Sequence, residues 1–197
     1  MKGVRNTILT VLIAGSCFGG FMLFQFACID FFTYIHWQPK PSMLEGGIGN
    51  AETYAYYVMM ACIFPAVMEE LIFRFGVFGI CRNFVKRVWL AVIISAAIFA
   101  VYHWNFGQLV YQFIMGVIFA CIYFRTGNIV YPMLAHFINN FIIITYTFIA
   151  GSDILDYNWN FTSVTVMIML SLLAGAVIMR LMQSFEKENH VGIKKWR

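Results

Sequence analysis

Two adjacent glutamates, Glu69 and Glu70, stand inside an apolar stretch that runs from Tyr54 to Ile80, and Arg74 follows one helical turn later. Only 9 of the 197 residues are acidic. A charge held at bilayer depth costs roughly 2.5 to 3.5 kcal/mol on insertion scales, so an ionisable residue in such a stretch is a candidate functional group. Further along, His103 and His136 lie in or at the end of apolar runs, each with a partner one turn away, Phe99 and Asn140. A carboxylate that meets imidazoles inside a membrane can take a proton, relay one, or ligate a metal.

Spacing decides which of these side chains share a helix face. Residues four apart are neighbours. Glu70 therefore pairs with Arg74, Phe99 lies beneath His103, and His136 and Asn140 project together. Glu69 is rotated about 100° from Glu70 and faces elsewhere. The expected division is a structural pair, Glu70 with Arg74, and a separate carboxylate, Glu69, turned towards a polar cavity. Pro65 cannot donate to the carbonyl of Ala61, so the helix is expected to kink or open one turn before Glu69.

The elements that must position these groups follow from composition. The chain is 61% hydrophobic and 11% charged, with a mean hydropathy of +0.77, which describes a membrane protein and excludes a water-facing surface. Apolar stretches that read as spans lie near Ile8 to Phe32, Tyr54 to Ile80, Val88 to His103, Phe106 to Phe124, Ile129 to Ala150 and Phe161 to Met182, the second long and the third short for a full crossing. The fold expected is all-α, a polytopic bundle of about six transmembrane helices. It forms one integral membrane domain over residues 1–197, with its working core roughly at 54–147.

Basic residues set the orientation. Lys2 and Arg5 precede the first span, Arg82, Lys86 and Arg87 follow the second, Arg125 follows the fourth, and Lys187, Lys194, Lys195 and Arg197 follow the sixth. Both termini are therefore expected in the cytoplasm, and the first span reads as an uncleaved signal anchor. The net charge of +4 belongs to these flanks and is no sign of nucleic-acid binding. Five cysteines, an odd number with no C-x-x-C pair, give neither a disulfide framework nor a zinc knuckle.

Counting from the cytoplasmic end of each span at ~1.5 Å per residue, Glu69 lies roughly 20 Å in, His103 roughly 22 Å, His136 roughly 12 Å and Asn140 roughly 18 Å. Four residues from three helices thus fall in one band of the membrane. Taken singly, each has a plainer reading: His103 as an interfacial residue beside Trp104, His136 with Asn139 and Asn140 as interhelical hydrogen-bond glue, and the two glutamates with Arg74 as a buried ion pair. Two acids against one base nevertheless leave a carboxyl over.

At these residues the sequence resembles the CAAX protease and bacteriocin-processing family of intramembrane proteases, also called the Abi family. The resemblance rests on E-E-x-x-x-R at Glu69, Glu70 and Arg74, F-x-x-x-H at Phe99 and His103, and H-x-x-x-N at His136 and Asn140. It covers roughly Tyr54 to Thr147. The resemblance implies an endopeptidase of the bacterial cell membrane acting on a peptide or membrane-protein substrate. Glu69 would be the catalytic base, His103 would help hold the water, and His136 with Asn140 would form the oxyanion hole. The chain departs from the prenyl-protein members in its few spans, and nothing in it indicates prenylated substrates. Its size is similar to the bacterial branch, where bacteriocin immunity, peptide maturation and regulation of membrane proteins are the suggested roles.

No cofactor is favoured. Zinc is the alternative, with Glu69, His103 and His136 as ligands, although H-E-x-x-H is absent and Asn140 is a poor zinc ligand. Two other classes compete with a protease. One is a non-catalytic immunity or scaffold protein in which the polar cluster only fixes helix packing. The other is a small proton or ion transporter, for which an internal repeat would be expected and is not found.

Overall fold

The computed structural model describes residues 48–105 and 108–151. The first and sixth expected spans, both termini and the signal-anchor reading lie outside the described residues. Within them the secondary structure is helical and contains no strand.

One continuous helical run extends from Ala51 to Phe84. It comprises α1 (Ala51–Tyr57), a widened π-helical stretch Val58–Ile63, α2 (Phe64–Glu70), a second widened stretch Leu71–Phe78, and α3 (Gly79–Phe84). Then follow α4 (Val88–Tyr102), α5 (Leu109–Thr126) and α6 (Val130–Ala150). Where no water reaches the backbone, long apolar sequences fold this way because a helix satisfies its own N–H and C=O groups. α5 and the span Val130–Ile149 within α6 are long and apolar enough to cross a membrane, and α4 is a shorter apolar helix. Large apolar side chains on the outside, Phe75, Phe84, Val101 and Ile149 among them, are exposed, which suits contact with lipid.

The helix ends are chemically marked. The Asn50 side chain accepts the N–H of Thr53 at 2.9 Å and opens α1. Gly127, at φ 66°, closes α5 in the left-handed conformation, its N–H donating to the Tyr123 carbonyl at 2.8 Å. Asn128 then accepts the N–H of Val130 at 3.0 Å in the short connection between α5 and α6. Between α3 and α4 the backbone is extended at Val85 and Arg87, which leaves Lys86 and Arg87 in the connection.

The expected boundaries shift by a few residues. The second span is helical over Ala51 to Phe84 instead of Tyr54 to Ile80, and α4 stops at Tyr102. The opening expected near Pro65 takes the form of the widened stretch just before it, where the Phe64 N–H bonds to the Met59 carbonyl five residues back. The second widened stretch begins directly after Glu70 and contains Arg74.

Packing brings the helical run, α4, α5 and α6 round one centre. α4 meets α5 at Gly116, where an added Cβ would stand 2.9 Å from the Cα of Ala96, so only glycine permits this approach. Phe78, Val88, Val92 and Phe124 fill the end where α3, α4 and α5 meet. Cys62 and Ile144 pack the helical run against α6. Ser95 on α4 donates to the Phe73 carbonyl at 3.1 Å and ties α4 to the second widened stretch.

Candidate active site

At the centre, Glu70 and Arg74 are fully buried. Arg74 Nε donates to Glu70 Oε2 at 2.7 Å and Nη2 donates to Oε1 at 3.3 Å, a two-pronged pair one helical turn apart. The guanidinium carbon lies 4.8 Å from the centre of the Phe99 ring and 5.6 Å from that of Phe119, so aromatic faces from α4 and α5 take up part of its charge. The pair expected from spacing is therefore present. It also has a third member: Glu70 Oε1 accepts from His136 Nδ1 at 3.0 Å, a link from α2 to α6.

Glu69 faces the other way, as its rotation requires. Its Oε2 is buried without a hydrogen-bond partner, and two imidazole nitrogens approach it: His103 Nε2 at 3.7 Å and His136 Nε2 at 3.9 Å. The Glu69 side chain keeps 16% of its surface exposed, so this group, unlike Glu70, opens outward. Three of the four residues placed in one band by helix rise thus meet.

Both imidazoles are held from behind. His103 Nδ1 lies 2.8 Å from the Phe99 carbonyl, an acceptor only, so Nδ1 carries the proton and donates. His136 Nδ1 donates to Glu70, whose carboxylate is paired with Arg74 and also only accepts. In each neutral ring the Nε2 facing Glu69 is consequently a bare acceptor. Phe119 stacks on His136 with centroids 5.0 Å apart, and the Phe99 ring lies 4.7 Å from that of His103.

His103 is the C-cap of α4, and the chain leaves through Trp104 at φ 49°, a left-handed conformation that costs a bulky residue about 1–2 kcal/mol. The strain sits one residue from an imidazole of the site.

Asn140 lies one turn beyond His136 on α6 and is anchored differently. Its Nδ2 donates to the Ala61 carbonyl at 2.9 Å, and its Oδ1 accepts from Asn139 Nδ2 at 3.1 Å. The glue reading thus describes Asn139 and Asn140 well. Residues that spacing did not single out are Tyr111, Phe119 and Ser95; Phe119 in particular is one more phenylalanine among 21.

A match to a known family falls on this same region. Residues 51–142 match the family described as type II CAAX prenyl endopeptidase, Rce1-like. The chain is 34% identical over 88 residues to YdiL of Bacillus subtilis (strain 168), named as a candidate membrane peptidase. It is 31% identical over 94 residues to the membrane-embedded CAAX protease MroQ of Staphylococcus aureus (strain USA300). These matches take in 44% and 45% of this chain but only 36% and 38% of the two relatives, so the chain aligns with little more than a third of either. No solved structure matches significantly. Residues 51–142, the stretch that is similar to the Rce1-like CAAX prenyl endopeptidase family, hold Glu69, Glu70, Arg74, His103, His136 and Asn140.

Proposed function

We propose that this protein is an intramembrane endopeptidase that hydrolyses a peptide bond in a peptide or membrane-protein substrate, with Glu69 as general base. One observation carries the reading: a buried carboxylate oxygen without a hydrogen-bond partner, approached at 3.7 and 3.9 Å by two imidazole nitrogens that are themselves fixed from behind. A water between Glu69 and His103 Nε2 would donate to both and keep an oxygen lone pair for the substrate carbonyl carbon. As the C–O bond forms, Glu69 takes the proton, and the carbonyl becomes an oxyanion. When the C–N bond breaks, Glu69 returns that proton to the leaving amine.

The oxyanion then needs donors. Asn140 has a second N–H on Nδ2 beyond the one given to Ala61. His136 donates from Nε2 only when its ring carries both protons, and Glu70 sits on Nδ1 to balance that charge. Glu70 thus has a use beyond Arg74. A donor of this kind is worth about 2.7–4 kcal/mol in the transition state.

A metal site is the second reading, raised by the residue types alone, because among the described residues no three His, Cys, Asp or Glu side chains stand close enough to hold an ion as placed. Glu69, His103 and His136 would hold a zinc ion with an open position, and the ion would polarise a carbonyl or acidify water. Ligand atoms around a tetrahedral zinc stand about 3.3 Å apart, so Glu69 Oε2 would have to close on His103 Nε2 from 3.7 Å and on His136 Nε2 from 3.9 Å. The metal-free reading is preferred because Asn140, a poor ligand but a good donor, belongs to the same helix face.

The wider reading is a single multi-pass membrane domain over residues 1–197, with about six spans and both ends in the cytoplasm of a bacterial cell. The basic flanks and the apolar helices support it. Purified protein in lipid nanodiscs, given peptides from its host's membrane fraction, should release defined fragments, and Glu69→Gln protein should not. Proton flux into liposomes that depends on Glu69, without fragment release, would move the assignment to a transporter.

A further inference from the structure

The carbonyl of Ala61 is an unusual partner for a side chain on another helix. It lies in the widened stretch just before Pro65, where the ladder passes from five-residue to four-residue bonds, and in the four-residue register the residue that would serve it is Pro65, which has no N–H. Asn140 Nδ2 donates to this carbonyl at 2.9 Å across the interface between the helical run and α6. The contacts continue behind Asn140. Its Oδ1 accepts from Asn139 Nδ2 at 3.1 Å, and Asn139 Oδ1 accepts from the Tyr111 hydroxyl of α5 at 2.9 Å. Tyr111 and Asn139 are both buried, each 4% exposed.

The direction of this chain of bonds follows from its end. A carbonyl only accepts, so Asn140 must present its NH₂ to Ala61, and its Oδ1 must then face Asn139. Asn139 in turn must present NH₂ to Asn140 and oxygen to Tyr111, which donates. Reversing either amide would set two oxygens, or two NH₂ groups, against each other inside the protein. Three elements therefore fix one amide plane, and with it the direction of the second Nδ2 hydrogen of Asn140.

We propose that Tyr111, Asn139 and the Ala61 carbonyl, to which Pro65 can offer no N–H, form a relay that positions the Asn140 amide for the oxyanion. The proposal rests on the reading of Asn140 as an oxyanion donor. Tyr111, Asn139 and Pro65 are positioning residues, and none need touch substrate. Pro65 then has a use that helix propensity alone opposes: it withholds a backbone hydrogen bond so that a side chain on α6 can take its place.

Two measurements test it on the whole protein in nanodiscs. The first is thermal unfolding and needs no substrate. Pro65→Ala restores an N–H to the helix, so it should keep or raise Tm, and Asn140→Ala should lower Tm by less in the Pro65→Ala background than in the wild type. A fall in Tm on Pro65→Ala, or an equal loss in both backgrounds, overturns the relay.

The second is turnover of a quenched fluorescent peptide spanning a site cleaved by the wild-type protein. Asn140→Ala should lower kcat by about 10²–10³-fold, Tyr111→Phe by about three- to tenfold, both with KM unchanged. Tyr111→Phe should add nothing in the Asn140→Ala background, because no amide is left to orient. Full additivity, or an effect of Tyr111→Phe confined to KM, overturns the relay while the oxyanion reading stands. An unchanged kcat in Asn140→Ala overturns the oxyanion reading and the relay's purpose with it, and a protein that cleaves nothing overturns both together with the protease assignment.

Discussion

His136 Nδ1 and Glu70 Oε1 stand 3.0 Å apart, buried, and the same carboxylate holds Arg74 through its other oxygen at 2.7 Å. Glu70 is therefore the hinge between the ion pair of one helix and the imidazole of another. Its charge answers to both partners.

Glu70→Gln is expected to do two separable things. It strips the counter-charge from a fully buried Arg74, and breaking a buried pair from one side costs about 3–5 kcal/mol, read as a fall in unfolding temperature in nanodiscs. It also lets a side-chain NH₂ face His136 Nδ1, which frees the ring to adopt the other tautomer. Turnover per folded molecule should therefore fall as well. Wild-type stability would show that Arg74 is neutralised by something else, and lost stability with unchanged turnover would confine Glu70 to packing.

Gly116→Ala should destabilise the protein by about 1–3 kcal/mol, the usual cost of overpacking a tight contact. The new Cβ would stand 2.9 Å from Ala96 Cα and 3.1 Å from Ala96 Cβ, so α4 must move, and His103 with it. Adding Ala96→Gly removes only the second contact and should not rescue stability. Full rescue in a thermal unfolding assay would show that the helices are held apart by side chains and not by backbone.

Much of this site was legible because one helical turn is a local rule. Glu70 with Arg74, and Phe99 with His103, follow from four-residue spacing, and helix rise was enough to bring Glu69, His103 and His136 to one depth. What spacing could not give is the rotation of each helix about its own axis. In α4 nearly every residue from Val88 to Tyr102 is apolar, with Ser95 the exception, so no polar face marks which side turns inward. Contacts that depend on rotation were accordingly invisible: Glu70 with His136, Ser95 with the Phe73 carbonyl, and Gly116 with Ala96. Asn140 was found, but its backbone partner was not. The missing N–H of Pro65 was readable from sequence as a break in the helix, whereas the side chain that fills the gap comes from a helix far along the chain.

Metal removal separates the two hydrolytic readings. In the metal-free mechanism, fragment release by purified protein survives a strong chelator unchanged. Loss of activity that returns on adding zinc would shift Glu69, His103 and His136 from base and imidazole partners to ligands.

The most direct measurement is comparative peptidomics of cells producing wild-type or Glu69→Gln protein at equal, membrane-inserted levels. A positioned general base is worth about 10²–10⁴-fold, so the account predicts fragments in wild-type cells that fall to background with Glu69→Gln while their uncut precursors accumulate. The same fragments, in the same amounts, from both cells would contradict Glu69 as the base.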